Sequence, residues 1–109
     1  MKVAVASSGE DIEAPVDARL GRCANIVVVE SDTMDLEVHS NPGALAGTGA
    51  GVAAAQVVAD AGVEAVIAGS FGPNSLRAFK AGGIKSYIAS GTVREAVAAL
   101  VEGKLEPLK

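Results

Sequence analysis

The sequence of 109 residues has one cysteine, no tryptophan, one tyrosine and two phenylalanines. A single cysteine cannot form a disulfide within the chain, so the cytoplasm is the expected location. Since aromatic side chains are few, there is little to stack on nucleobases. Lysine and arginine never form a run and the formal net charge is −4, so no nucleic acid is expected as a partner.

Long hydrophobic runs are also missing. The apolar segment from Met1 to Ala6 is soon followed by Ser7, Ser8, Gly9 and acidic residues, so it predicts neither a signal peptide nor a membrane span, and no membrane partner is expected. A chain of this length forms one hydrophobic core, which predicts a single domain over residues 1–109.

Short segments rich in Val, Ile and Ala predict strands, and longer segments between glycine-rich turns predict helices. The predicted strands are Lys2–Ala6, Asn25–Glu30, Leu36–His39, Glu64–Ala68 and Ile84–Ala89. The predicted helices run from about Val52 to Ala61, from Pro73 to about Ala81, and onward from Thr92. Thr92 and Glu95 have the spacing of a capping box at the last helix. The tail from Gly103 onward is expected to fray.

The order of these elements predicts an α/β fold. Three successive strands form an antiparallel meander most simply, whereas the last two strands, each reached through a helix, should lie parallel to the first. A five-stranded mixed sheet in the order 3-2-1-4-5, with only strand two antiparallel, meets both conditions. Ligands of such sheets bind where the winding reverses, here between strands one and four. The segments Ser7-Ser8-Gly9 and Gly69-Ser70-Phe71-Gly72 should face each other across that crevice.

Glycine-rich loops should therefore emerge along one edge of the sheet, which suits binding better than catalysis. They are the loops Ser7 to Ala24, Asn41 to Gly51, Gly69 to Ser75 and Ser90 to Thr92. The helix start at Gly72-Pro73-Asn74-Ser75 is a candidate anion site, because unpaired N–H groups and a partial positive charge lie there. The alternative is an ordinary turn between a strand and a helix.

The segment Arg19-Leu20-Gly21-Arg22-Cys23 places two guanidinium groups and a thiol close together in a loop that should border the crevice. Nearby cations would lower the pKa of the thiol and favour a thiolate, which binds soft metals. Alternatively, Cys23 is a small buried hydrophobe at the start of strand two, and the arginines pair with acidic residues. The acidic candidates are Asp11, Glu13 and Asp17.

Features that catalysis requires are missing from the sequence. It has no paired carboxylates on a strand, no nucleophile elbow, no Cys-x-x-Cys and no His/Cys cluster with metal spacing. His39 is expected on the solvated face of an edge strand. We therefore name no catalytic residue and do not expect an enzyme.

Several segments, taken in order, carry a family resemblance. They are Met1 to Ala6, Pro15-Val16-Asp17 with Leu20-Gly21-Arg22, Asn41-Pro42, Gly49-Ala50-Gly51, Ile67 to Asn74, and Gly91-Thr92-Val93. Together they resemble the dinitrogenase iron-molybdenum cofactor biosynthesis family, with its NifX/NifY-like domains. The resemblance implies a ribonuclease H-like sheet and a non-catalytic role in binding or carrying an anionic metal–sulfur cofactor, containing molybdenum, iron or both, or its precursor.

The resemblance also bears on single residues. Arg22 matches the family's Phe-Gly-Arg element, with Leu20 in place of the usual aromatic, and the Gly-x-x-Gly-Pro-Asn element falls on Gly69 to Asn74. The expected cofactor-binding residues are Ser7, Ser8, Gly9, Arg19, Arg22, Cys23, Gly69, Gly72, Pro73 and Asn74, with Cys23 as the candidate metal ligand. The expected partners are the cluster and the proteins that donate or accept it, and the expected state is a monomer or weak homodimer. The alternative is a protein-interaction or regulatory module with no bound cluster.

Overall fold

The computed structural model describes residues 1–42 and 50–108. Its elements are β1 (Lys2–Ser7), β2 (Asn25–Glu30), β3 (Asp35–Ser40), α1 (Ala50–Asp60), β4 (Ala65–Ala68), α2 (Pro73–Ala81), β5 (Lys85–Ile88) and α3 (Val93–Val101). Every predicted element is present, with its ends shifted by at most two residues. Most of the predicted loop Asn41 to Gly51 lies outside the described residues.

The sheet has the predicted order, β3-β2-β1-β4-β5. Strand β1 is central, antiparallel to β2 and parallel to β4, and β4 is parallel to β5. Strand β3 pairs antiparallel with β2 at one edge, and its partly exposed side chains agree with the predicted edge position. The topology predicted from the order of elements is therefore confirmed.

Both faces of the sheet are covered, which explains why the inner strands are continuous apolar runs. Alternate residues point to opposite faces, so Ala4 and Ala6 of β1 pack toward α1 and α2, whereas Val3 and Val5 pack toward α3. The first face also buries Leu20, Cys23, Ile26, Val28, Ala54, Val58, Val66 and Phe79. The second buries Val27, Val29, Ile67, Tyr87, Val93, Ala96 and Val97.

Local sequence sets the helix ends as expected. Pro73 occupies the start of α2, where its missing N–H costs nothing, and Gly82 ends the helix. At α3 the amide of Glu95 donates to Thr92 Oγ1 at 3.1 Å and the amide of Thr92 donates to Glu95 Oε1 at 2.9 Å, which confirms the capping box. Within residues 1–42 and 50–108, no helix is long and apolar enough to cross a bilayer.

The C-terminal tail differs from the expectation. Leu105 packs against the core on the α3 side, and the amide of Leu108 donates to the carbonyl of Ser86 in β5 at 2.7 Å. The tail is therefore attached to the sheet at these two points, which the expected fraying from Gly103 onward did not anticipate. The reason is that β5 is an edge strand with an open row of backbone groups, and two leucines of the tail find apolar partners beside it.

Candidate functional site

The long loop between β1 and β2 crosses the edge of the sheet where the parallel strands end. The amide of Asp17 donates to the carbonyl of Ala6 at 2.8 Å, and the amide of Gly69 donates to the carbonyl of Asp17 at 2.9 Å. Ser70 Oγ donates to the carbonyl of Ala18 at 2.6 Å. The loop is therefore bonded to the ends of both β1 and β4.

This arrangement corrects one expectation about the crevice. Residues 17 and 18 lie between the ends of β1 and β4, so Ser7-Ser8-Gly9 and the turn after β4 do not face each other across open space. Ser7 is buried and its hydroxyl bonds to Gly9, while Ser8 Oγ donates to the carbonyl of Pro15 at 3.4 Å. The sequence could not show that a loop would fill the space between β1 and β4, where the winding of the sheet reverses. The path of a loop depends on contacts between residues far apart in the sequence.

Two glycines allow close approaches beside this loop. A Cβ built at Gly69 would lie 2.7 Å from Cα of Ala18, and one at Gly51 would lie 2.7 Å from Oγ of Ser75. Both distances are shorter than a carbon contact allows. Gly72 is different, since a Cβ there would meet nothing within 4 Å. Gly69 is thus required for packing against the backbone of residues 17 and 18, at Gly51 the hydroxyl of Ser75 would have to move, and Gly72 leaves space open at the start of α2.

That open space belongs to a cavity of about 300 Å³ between the β1–β2 loop and the starts of α1 and α2. It is lined by Arg19, Leu20, Gly21, Arg22, Ala50, Gly51, Ser70, Phe71, Gly72 and Ser75. We call it the rim cavity. The structure thus brings three of the predicted binding residues together, Arg19, Arg22 and Gly72.

The rim cavity has a positive electrostatic character. Arg19 and Arg22 are exposed and border it, and no acidic side chain is among its described lining residues. The first amides of α2 have no intrahelical partner, and the N-cap Gly72 has no side chain that could accept a hydrogen bond from them. Their partial positive charge adds to that of the guanidinium groups. The cavity therefore suits an anion.

Within residues 1–42 and 50–108, Arg19 forms none of the ion pairs weighed as the alternative for this loop. Glu13 instead pairs with Arg94, and Asp17 accepts a hydrogen bond from the backbone amide of Arg19 at 3.1 Å. In the ranges that the structure describes, Arg19 forms no salt bridge. Its charge is therefore directed to the solvent and the rim cavity.

Cys23 lies behind the rim cavity rather than in it. Its side chain is completely buried, and Sγ donates to the carbonyl of Leu20 at 3.1 Å. Burial, with a smaller contribution from the nearby Asp17 carboxylate, raises the pKa of the thiol to about 11. The expected lowering of this pKa is therefore wrong, because burial and the Asp17 carboxylate both favour the neutral thiol. A role of Cys23 as metal ligand stays a prediction.

Sequence reasoning gave no function to Asn41, which fixes residues 19–23, which we call the arginine loop. Its buried amide donates to the carbonyls of Leu20 at 3.2 Å and Cys23 at 2.9 Å, and contacts that of Gly21 at 3.3 Å. Asparagine before proline at the end of a strand is a common turn signal, and it was noted only as part of a motif. The side chain satisfies carbonyls of residues 20–23 and so holds Arg22 at the rim cavity.

The other predicted residues have different surroundings. The amide of Gly69 is bonded to Asp17, Pro73 has no N–H, and Asn74 is exposed in the first turn of α2. His39 contacts Glu37 on the edge strand, as expected for a surface residue. Within residues 1–42 and 50–108, no group of three or more His, Cys, Asp or Glu residues could hold a metal ion. The site is defined by backbone amides and arginines.

A small α/β domain with an anion-suited cavity at one edge of its sheet is the class of protein that these observations define. The model of the dinitrogenase iron-molybdenum cofactor family matches residues 1–103, and the chain belongs to this family. The uncharacterised protein MJ0580 of Methanocaldococcus jannaschii is 32% identical over 104 residues, covering 87% of this chain and 88% of that protein.

Two solved structures are similar over nearly the whole chain. The apo form of the orange protein from Desulfovibrio gigas has a TM-score of 0.91 and 36% identity, and the match covers 99% of this chain and 96% of that one. The NMR structure of TM1290 from Thermotoga has a TM-score of 0.83 and 36% identity, covering 98% of this chain and 92% of that one. These likenesses agree with the family assignment and the fold.

Proposed function

We propose that this protein is a non-catalytic carrier that holds an anionic metal–sulfur cofactor, containing molybdenum, iron or both, or a precursor of it, in the rim cavity. The proposal depends on one observation: Arg19, Arg22 and the uncapped start of α2 line the same cavity, and no Asp or Glu is among the described residues that line it. Membership of a family named for the iron-molybdenum cofactor of dinitrogenase supports the choice of cargo.

The chemistry of the cavity fits such a cargo. Guanidinium groups form charge-assisted hydrogen bonds with anions, and convergent backbone N–H groups favour clusters with negative charge. The aliphatic and aromatic parts of the lining, Leu20 and Phe71, would limit access of water to the sulfur atoms. No acid, base or nucleophile is needed for holding and release, so the proposed role is binding and transfer between donor and acceptor proteins.

The candidate residues differ in their proposed contributions. We assign direct contact to Arg19, Arg22 and the amides of Gly72 and Asn74, and helix-start geometry to Pro73. Gly69 and the segment Ser7-Ser8-Gly9 are proposed to support the loops around the cavity, because their polar groups bond within the chain. Cys23 would reach a metal only if the arginine loop opened.

Anaerobic reconstitution with ferrous iron, molybdate and sulfide, followed by gel filtration, metal analysis and a visible spectrum, tests the proposal. We expect wild-type protein to retain metal and sulfide, and Arg22→Ala to bind about tenfold more weakly or worse, because a charged hydrogen bond is lost. Arg77→Ala is the matched control, since Arg77 is exposed on α2 outside the rim cavity. If the Arg22→Ala and Arg77→Ala variants retained equal amounts of metal and sulfide, binding in the rim cavity would be contradicted.

A second pair of variants separates contact from folding. Gly72→Val should fill the open space at the helix start and reduce loading, while circular dichroism shows an unchanged fold. Cys23→Ser should retain the cargo if the thiol is only structural and lose metal if it is a ligand. If the Gly72→Val variant retained as much metal and sulfide as the wild type, the cargo would have to bind outside the rim cavity.

A further inference from the structure

A second cavity lies at the other end of α2 and is independent of the proposed cargo site. It has a volume of about 430 Å³ and is bordered by Leu76, Ile84 and Leu108 together with Arg77, Lys80 and Lys85. We call it the β5 groove. No acidic side chain borders it among the described residues.

The charge of the β5 groove contrasts with that of the chain. Three of the nine basic residues surround it although the formal net charge is −4. None of Arg77, Lys80 and Lys85 forms a salt bridge with a carboxylate of residues 1–42 or 50–108. Positive charge next to the apolar side chains of Leu76, Ile84 and Leu108 favours an acidic partner that also provides aliphatic side chains.

The groove continues onto an open strand edge. Strand β5 ends the sheet, and the amides of Lys85 and Ala89 donate toward β4. By strand alternation, the backbone groups of Ser86 and Ile88 point away from the sheet. Ile88 is also 49% exposed. This edge can accept a further strand by backbone pairing.

The chain's own tail shows what kind of segment the groove accepts. Leu105 packs on the α3 side and Leu108 borders the groove on the α2 side, so the tail crosses the edge of β5. Among the described residues, one backbone hydrogen bond joins it to β5, from the amide of Leu108 to the carbonyl of Ser86. Leu108 remains 38% exposed. An extended leucine-bearing segment therefore fits here, and it is weakly held.

We propose that the β5 groove is a docking site for an extended acidic, leucine-containing segment of a partner protein, which adds to the edge of β5 in place of the tail. Carboxylates of the partner would pair with Arg77, Lys80 and Lys85, and its leucine would take the place of Leu108. This inference goes beyond the carrier role, because it holds whether or not the rim cavity binds a cluster.

Fluorescence anisotropy with the labelled peptide Glu-Leu-Glu-Val-Leu-Glu tests the docking site in the full chain. Its length of about six residues is that of an ordinary strand. The double variant Arg77→Glu/Lys80→Glu should raise the Kd about tenfold or more, because two of the three charges around the β5 groove are reversed. The matched control Lys2→Glu, an exposed lysine outside the groove, should change it by about twofold or less.

Two further measurements examine the competition with the tail. Leu108→Ala should lower the Kd severalfold, since it weakens the hold of the tail, and NMR of the full chain should show peptide-induced shifts at the amides of Ser86 and Ile88. The proposal is overturned if the charge reversals match Lys2→Glu, or if a peptide with lysine in place of glutamate binds as tightly. The proposal would also be overturned by an unchanged Kd of the peptide for the Leu108→Ala variant. Displacement of the peptide by equimolar phosphate would overturn it, and so would dimerisation of the Leu108→Ala variant through β5.

Discussion

At the scale of single residues, the glycines of the candidate site fall into two kinds that the sequence cannot distinguish. Gly69 touches the backbone of residues 17 and 18, whereas Gly72 borders open space. Both belong to the same Gly-x-x-Gly-Pro-Asn element. Their different surroundings arise because the β1–β2 loop passes over one of them and not over the other.

Gly69→Ala is therefore expected to destabilise the protein by about 1 to 3 kcal/mol, because the added Cβ would lie 2.7 Å from Cα of Ala18 and force the loop outward. Gly72→Ala is the control and should cost less than about 1 kcal/mol, the difference between Gly and Ala at an N-cap, because no atom lies within 4 Å of its Cβ. Urea denaturation followed by circular dichroism measures both. Similar losses in the two variants would show that residues 17 and 18 do not approach Gly69 as described.

Cys23 gives a pH dependence whose sign follows from its burial. Its pKa is about 11 in the folded chain, above the ordinary value of 9.0, so the neutral thiol is favoured by folding. The resulting stabilisation is complete below pH 9 and disappears as the pH rises toward 11. The separation of the two pKa values corresponds to about 2 to 3 kcal/mol.

The measurement compares wild type with Cys23→Ala by urea unfolding at pH about 8 and about 10.5. We expect the wild type to lose more stability than the variant over this interval, because only the wild type carries the thiol. Parallel losses in the two proteins would mean that Cys23 does not titrate differently in the folded and unfolded chains.

At the scale of elements, capping decides where α3 begins. Both hydrogen bonds of the capping box are present between Thr92 and Glu95. Thr92→Ala should cost about 1 kcal/mol of stability, since one amide of the first turn loses its acceptor. Ser90→Ala, an exposed substitution two residues earlier, should change stability by about 0.5 kcal/mol or less. Thermal unfolding of the two variants tests this, and equal melting temperatures would contradict it.

Elements also show which part of the site was predictable. The strands and helices followed from apolar runs and glycine turns, and the start of α2 at Pro73 followed from proline chemistry. The path of the β1–β2 loop did not, since hydrogen bonds to Ala6, Gly69 and Ser70 hold it. Arg19, Arg22 and Gly72 were predicted as binding residues, but Gly51, Phe71 and the support from Asn41 were not.

At the scale of the whole molecule, the β1–β2 loop is part of the sheet assembly rather than an appendage. The amide of Asp17 bonds to Ala6 at the end of β1, and the amide of Gly69 bonds to Asp17. We expect both amides to exchange with solvent about as slowly as the amides of β1 and β4, because their hydrogen bonds join the loop to the ends of both strands. Hydrogen exchange followed by NMR measures this. Exchange of Asp17 as fast as that of an exposed loop amide would contradict it.

The sequence by itself determined the secondary structure and the strand order, because apolar periodicity, turn residues and short connections are encoded locally. The family followed from the resemblance of several motifs taken in order. Only the tertiary structure decided that the β1–β2 loop fills the space between the ends of β1 and β4, that Cys23 is buried with a raised pKa, and that the tail contacts β5. Burial and loop paths depend on residues far apart in sequence, and their effect on charge and contact appears only when the packed molecule brings them together.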